Sequence, residues 1–209
     1  MDRVGLFPLQ IVLFPESVFP LHIYEDRYKK LINQCLVSKK VFGVNLSLST
    51  KMYNVGCSAQ ILDIVQKYDN GDLDITVKGI RRYRLNDFEE SKNKYVEADI
   101  EYFDDNEEKL DLDLIERSII EFNQIAEFVN SIKIEKISRD EVSNIYPSFL
   151  IAQKAGLNLN QRQDLLEMTS ENTRLEYLLE HLIKIKPMLK EAEFVQMIIK
   201  NDGYLKPKI

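Results

Sequence analysis

The chain has little of what most catalytic sites are built from. It holds two cysteines, Cys35 and Cys57, and two histidines, His22 and His181, scattered along 209 residues. Neither cysteine belongs to a CxxC pair, which removes the usual zinc and dithiol readings and points to a reducing compartment. Cys57 in "VGCSAQ" has no basic neighbour and reads as a buried small hydrophobe. No GxxxxGK[ST], GxGxxG, HExxH or GxSxG occurs, so the common phosphate loops, the dinucleotide fingerprint, the zincin helix and the nucleophile elbow are all missing. Catalytic, cofactor-binding and metal-binding residues are therefore expected to be none. No apolar run reaches the roughly 20 residues needed to cross a bilayer. The front of the chain carries one basic residue, Arg3, and its apolar stretch is broken by Pro8 and Gln10, unlike a signal peptide. These absences lead to the expectation of a soluble, cytoplasmic protein with no membrane partner. An excess of positive charge is lacking too. The net charge is -6, which opposes general binding of nucleic acid.

The charge is unevenly spread. Residues 86 to 113 contain 12 acidic and 3 basic side chains, a net of -9, so the rest of the chain is about +3. This acidic stretch reads as a solvated edge strand and a polar connection, "DDNEEKLDLD". It separates two kinds of text.

Before it, the pattern is β-rich. Pro8 and Pro15 bias residues 4 to 14 towards extended backbone and suit an edge or a bulge. Tyr24, Tyr28, Leu31, Ile32 and Cys35 share one helical face. "VFGVNLSL" reads as a strand. "AQILDIVQKY" and "LDITVKGIRRYRL" flank "DNGD", where Asn70-Gly71 predicts a tight hairpin turn. Residues 95 to 102 alternate as a further strand.

After it, the pattern is helical. Ile115, Ile119, Phe122, Ala126 and Val129 form an apolar stripe. Ser138 with Glu141 makes a capping box before a helix bearing Val142, Ile145, Phe149 and Ala152, kinked at Pro147 and closed at Gly156. Asn160 with Gln163 opens a short helix. Ser170 opens a long one, which Pro187 bends or ends, and a last segment stops at Asn201-Asp202-Gly203. The expected division is a β-rich unit at 1–106 and an α-helical unit at 107–209.

Two groups of residues are candidates for contact. "FPESVFPL" combines two prolines and two phenylalanines with one charge, so Phe14, Pro15, Phe19, Pro20, Leu21 and Tyr24 are candidates for polypeptide binding. In "KGIRRYRL" the strand period puts Lys78, Arg82 and Arg84 on one face, a weak candidate for anion or RNA contact. The competing reading pairs these cations with acids of the 95–102 strand. His22 is expected in the core or an interface with one hydrogen-bond partner, and His181 at a surface or boundary.

The opening "LFPLQIVLFPESVFPLHIYEDRYKKLINQCL", followed by "FGV", closely resembles the N-terminal domain of Lon proteases. The same domain stands alone in other proteins and forms the front half of cereblon. "VGCSAQI" and "DNGDLDITVKGIRRYRL" continue the resemblance, with Gly71, Gly79, Arg82 and Tyr83 at the expected places. "LNLNQRQDLLE" and "RLEYLLEHL" extend it more loosely. The resemblance implies an α+β fold: a PUA-like twisted β pseudo-barrel with one short helix, followed by an all-α helical bundle. It also implies a non-enzymatic module that captures unfolded or specific protein partners. The alternatives are a PUA-like RNA-binding protein and the isolated front fragment of a full ATP-dependent Lon protease. The sequence departs from the family at Glu16, where glycine is usual, and a turn needing positive φ would be strained there. It also holds neither the ATPase nor the Ser-Lys protease module, which suggests a stand-alone member. The oligomeric state is left open, with a weak homodimer among the options.

Overall fold

A computed structural model describes residues 2–49, 51–129, 134–138, 141 and 146–200, with side chains described up to residue 196. The chain divides into two compact units. The first comprises Met1–Asn106 and Leu157–Thr169, and the second Glu107–Gly156 and Ser170–Ile209.

The first unit is a mixed sheet of β1 (Asp2–Leu9), β2 (Val18–Ile23), β3 (Phe42–Leu48), β4 (Lys51–Lys67), β5 (Leu73–Glu90) and β6 (Val96–Tyr102), with α1 (Asp26–Ser38) after β2. The strand order is β2-β5-β4-β3-β1-β6, and β5 also pairs with β6. That extra pairing closes β1, β3, β4, β5 and β6 into a ring and leaves β2 as an edge strand on the first half of β5. Only β1 and β3 run parallel. The prolines fit this scheme. Pro8 pairs with Asn45 of β3 but lies beyond the β6 register, which stops at Leu6. Pro20 sits in the edge strand β2. Neither position demands a second ladder donor.

The apolar face of α1 is Tyr28, Leu31, Ile32 and Cys35, all buried. They pack with Phe7, Leu21, Ile23, Phe42, Ile75 and Val77 in the main core. Tyr24 precedes the helix and is exposed, so it does not belong to that face. The 68–72 hairpin needs one left-handed residue, not two. Gly71 has φ 83°, Asn70 is not left-handed, and Tyr68 N–H donates to the Asp72 carbonyl at 3.0 Å. This three-residue loop combines a turn with a glycine bulge.

Glu16 has φ 65°. The turn keeps the geometry that glycine would favour and holds a side chain there instead. Hydrogen bonds from Glu16 N–H to the Gly79 carbonyl (2.8 Å) and from Gly79 N–H to the Ser17 carbonyl (2.9 Å) fix it, and Lys78 pairs with the Glu16 carboxylate at 2.5 Å. Left-handed backbone costs a non-glycine residue roughly 1–2 kcal/mol. Glu16→Gly relieves that cost but loses an exposed ion pair and adds chain entropy, so it should stabilise the unit by about 0.5 kcal/mol. A lower denaturation midpoint in the variant would contradict this.

The segment 157–169, expected in the helical unit, belongs to the sheet unit. It contains α4 (Leu159–Glu167), whose N-cap is Asn158 in a capping box with Gln161, two residues before the expected Asn160. Gln163 Nε2 donates to the Val55 carbonyl of β4 at 3.0 Å.

The second unit contains α2 (Leu112–Phe128), α3 (Pro147–Lys154) and α5 (Glu171–Lys200). The buried stripe of α2 is Leu114, Ser118, Ile119, Phe122 and Ile125, rotated slightly from the expected one, so Ile115 and Ala126 flank it. Pro147 begins α3 rather than kinking it, since its missing N–H is no loss in a first turn. Gly156 ends it with φ 69°. Pro187 lies inside α5 and does not end it. Glu171, Arg174 and Ser148 form a buried cluster: Arg174 pairs with Glu171 at 2.6 Å, and Ser148 Oγ donates to Glu171 at 2.6 Å. Ser138 and Glu141 exchange the expected capping bonds. Val142, Ile145 and the 201–203 stop lie outside the described residues.

Candidate polypeptide-binding surface

The candidate surface is built on the edge strand β2. Strand alternation turns Leu21 and Ile23 into the core, and the preceding turn buries Phe14. Phe14 is 1% exposed and Leu21 8%, so neither is available for contact. The reason for Phe14 lies 65 residues away: Gly79 has no side chain, and the Phe14 backbone rests on it. The remaining candidates lie towards solvent. Phe19 is 37% exposed and Tyr24 62%, Pro20 is exposed, and Pro15 is half-buried.

Their neighbours extend the apolar area. Val18 is exposed on β2, Leu62 and Val65 on β4, and Tyr68 in the hairpin loop that follows it. The registers locate these residues. Thr76 of β5 faces Pro20 on one side and Asp63 on the other, and Ile75 faces Leu21 and Ile64. Leu62 and Val65 fall at irregularities in the β4–β5 ladder, between Ile61 and Asp63 and between Ile64 and Gln66. Two strand spacings, roughly 9–10 Å, therefore separate β2 from these β4 residues. Bulges of this kind were invisible in the alternating sequence pattern, which is why Leu62 and Val65 were not among the expected contacts.

One end of the surface is polar. His22 is exposed, not buried, and its Nδ1 pairs with Asp74 at 2.6 Å. Tyr68 donates its hydroxyl to the same carboxylate at 2.6 Å, and the His22 ring stacks beside Tyr24 at 5.9 Å. The Tyr68 hydroxyl, then His22, hold the Asp74 carboxyl below its ordinary value. Lys29, pairing at 2.8 Å, does the same for Asp72. A carboxyl lowered on folding stabilises the fold above its unfolded value, near 3.8, and loses that contribution as pH falls through the folded value. The melting temperature should thus be insensitive to these groups above about pH 5 and should fall towards pH 2. His22→Ala should shift the Asp74 carboxyl upward in an NMR titration, and an unchanged titration would contradict the pairing.

The second candidate group is brought together only in part: Arg82 and Arg84 meet at the Phe103 ring, and Lys78 lies apart from them. Lys78 pairs with Glu16. Arg82 is 3% exposed and pairs with Asp105, whose side chain is 7% exposed. It also donates to the carbonyls of Leu166 (2.9 Å) and Met168 at the end of α4. Arg84 lies over the Phe103 ring at 3.9 Å. The β4–β5 register explains the separation. Between Ala59↔Gly79 and Cys57↔Arg82 the β5 strand advances three residues while β4 advances two. That extra residue flips the pleat, so Lys78 and Arg82 part company. The acids that hold Arg81 and Arg82 are Asp104 and Asp105, just after β6 rather than within it. Cys57 is fully buried, which pushes its thiol up to about 12. His181 meets the Ala155 carbonyl at 2.9 Å in a half-buried position.

These features define an α+β domain that exposes apolar side chains along an edge strand. The chain matches the family "ATP-dependent protease La (LON) substrate-binding domain" over residues 3–184 and belongs to it. A Lon protease of Halothermothrix orenii is 29% identical over 185 residues, which cover 81% of this chain and 23% of that protein. A Lon protease of Escherichia coli (strain K12) is 25% identical over 194 residues, 85% of this chain and 24% of its own length. The chain spans about a quarter of the length of the curated relatives it matches. A Lon N-terminal domain protein from Xanthomonas campestris shares the fold at 24% identity and a TM-score of 0.65, covering 86% of this chain and 98% of its own. The N-terminal domain of a Mycobacterium avium complex Lon protease does so at 16% identity and 0.63, covering 87% and 98%. Among the described residues no helix is long and apolar enough to cross a membrane.

Proposed function

We propose that this chain is a non-enzymatic module that binds polypeptide, in the cytoplasm, along the surface formed by Val18, Phe19, Pro20, Tyr24, Leu62 and Val65. The observation that carries this reading is the exposure of Phe19 and Tyr24 on and just after the edge strand β2, with Leu62 and Val65 exposed two strands away on β4. An apolar area of this kind on a folded domain is suited to capturing another chain. Pro15 and Pro20 fix φ on either side of Phe19, so little chain entropy is lost when a partner docks. The family's name, a substrate-binding domain of a protease, agrees in kind. The PUA-like description of the sheet unit and the bundle description of the helical unit belong to the same proposal.

Nucleic acid is not part of it. The net charge of -6 opposes association, and the three cations are engaged within the chain: Lys78 by Glu16, Arg82 by Asp105, and Arg84 over the Phe103 ring that it shares with Arg82. The test is binding of a permanently unfolded protein, reduced and carboxymethylated α-lactalbumin, by fluorescence anisotropy. Tyr24→Ala should weaken it several-fold at unchanged melting temperature. Equal affinity for wild type and variant would remove Tyr24 from the surface.

A further inference from the structure

The free edge of β2 carries a main-chain pattern of its own. Gly79 N–H donates to the Ser17 carbonyl at 2.9 Å, and the register then continues without a break from Val18↔Lys78 to Ile23↔Leu73. In an antiparallel ladder only every second opposed pair exchanges hydrogen bonds. Counting from Ser17, residues 19, 21 and 23 spend their main-chain groups on β5. Those of Val18, Pro20 and His22 point the other way. No strand lies on that side among the described residues, and all three residues are exposed. An unpaired edge of this kind is a template for a further strand from any chain that can lie along it.

Pro20 stands in the middle of this template. The fold loses nothing there, because the missing N–H would have faced solvent. The edge offers the N–H groups of Val18 and His22 as donors and the carbonyls of all three residues as acceptors. A strand laid along it would bring the carbonyl of its central residue against the proline ring, where no donor exists. The defect doubles for a second copy of this chain. Two β2 strands can pair antiparallel about a two-fold axis through residue 20, which sets Val18 of each against His22 of the other. Hydrogen bonds then form at both flanks. At the centre two prolyl rings meet, and two carbonyls are left without donors. Leaving a buried acceptor unpaired costs more than a typical formed bond contributes.

We propose that Pro20 is a specificity-determining residue: it bars strand addition at β2, by a second copy or by an extended partner, so this surface holds other chains by their side chains. As a statement about captured chains this rests on the polypeptide-binding reading. The blocked edge can be tested without it, so the two can fail separately.

The test is Pro20→Thr in the full chain. Threonine restores the central N–H and meets Thr76 of β5 across the ladder, so the melting temperature should be kept. Pro20→Ala restores the same N–H with a smaller side chain and serves as a second variant. In sedimentation velocity both should self-associate at least about tenfold more tightly than wild type, because two hydrogen bonds are gained and two orphan carbonyls are satisfied. Hydrogen exchange at the amides of residues 18 and 22 should slow with rising concentration in the variants and stay fast in wild type. Adding Val18→Lys at this exposed position should undo the association, since lysine on an edge resists pairing. The soluble strand acetyl-KVTVTVK-amide should protect the same amides in the variants and not in wild type. Three results would overturn the proposal: variants that sediment as wild type does, association that survives Val18→Lys, or wild-type amides at 18 and 22 protected by a second copy or by the peptide. Absence of α-lactalbumin binding beside a self-associating Pro20→Thr would remove the polypeptide-binding reading and leave the blocked edge standing.

Discussion

Replacing Arg82 with methionine should cost about 3–5 kcal/mol of folding stability, a large share of the 5–15 kcal/mol that holds a typical domain together. Arg82 and Asp105 are 3% and 7% exposed, so removing the guanidinium leaves a carboxylate buried without its counter-charge. It also removes a donor from the carbonyls of Leu166 and Met168 at the end of α4. The arginine thus does three jobs: it neutralises Asp105, caps α4 and, stacked 4.5 Å from Phe103, packs the end of β6. Pairing the change with Asp105→Leu should recover part of the loss, because no charge then remains buried. Urea unfolding of the wild type, both single variants and the double variant measures this. A single variant within 1 kcal/mol of wild type would contradict the assigned role.

Gly79→Ala should destabilise the sheet unit by about 3–5 kcal/mol. A Cβ at Gly79 would land on the Phe14 carbonyl oxygen and 3.0 Å from its carbon. Both obstacles are backbone, so no rotamer change relieves them. The 14–17 turn would have to lift away, breaking its two hydrogen bonds with Gly79, worth about 1 kcal/mol each, and uncovering Phe14. Overpacking alone costs about 1–3 kcal/mol. A melting curve superimposable on wild type would show that the turn moves freely.

How far these features could be read in advance depends on how local their causes are. The apolar face of α1 is set by residues three and four apart, so Tyr28, Leu31, Ile32 and Cys35 were legible. The β4–β5 hairpin was legible through Gly71, although Asn70 did not need the positive φ expected of it. Phe14 and Phe19 look alike in "FPESVFPL", yet one is buried in a turn whose backbone lies against Gly79 and the other is partly exposed on an edge strand, a difference that depends on a residue 65 positions away. The supposed cationic face failed because one extra residue on β5 reverses the pleat between Lys78 and Arg82, and periodicity cannot see an irregularity of one residue. The placement of α4 with the sheet was hidden for a similar reason. Its contacts with Val55 and Arg82 join residues 84 to 108 apart, while its neighbours in sequence belong to the other unit.

The central claim is that the exposed apolar residues at β2 bind polypeptide rather than hold the fold together. Phe19→Ala separates the two roles when paired with Phe14→Ala. The measurement is the affinity for carboxymethylated α-lactalbumin together with the denaturation midpoint of each variant. Phe19→Ala should weaken binding by roughly 1–3 kcal/mol, about 5- to 150-fold, and cost about 1 kcal/mol of stability, since the side chain is only partly buried. Phe14→Ala should cost about 3–5 kcal/mol of stability. Unchanged affinity in Phe19→Ala, with a loss of stability matching that of Phe14→Ala, would contradict the claim and place the binding surface elsewhere.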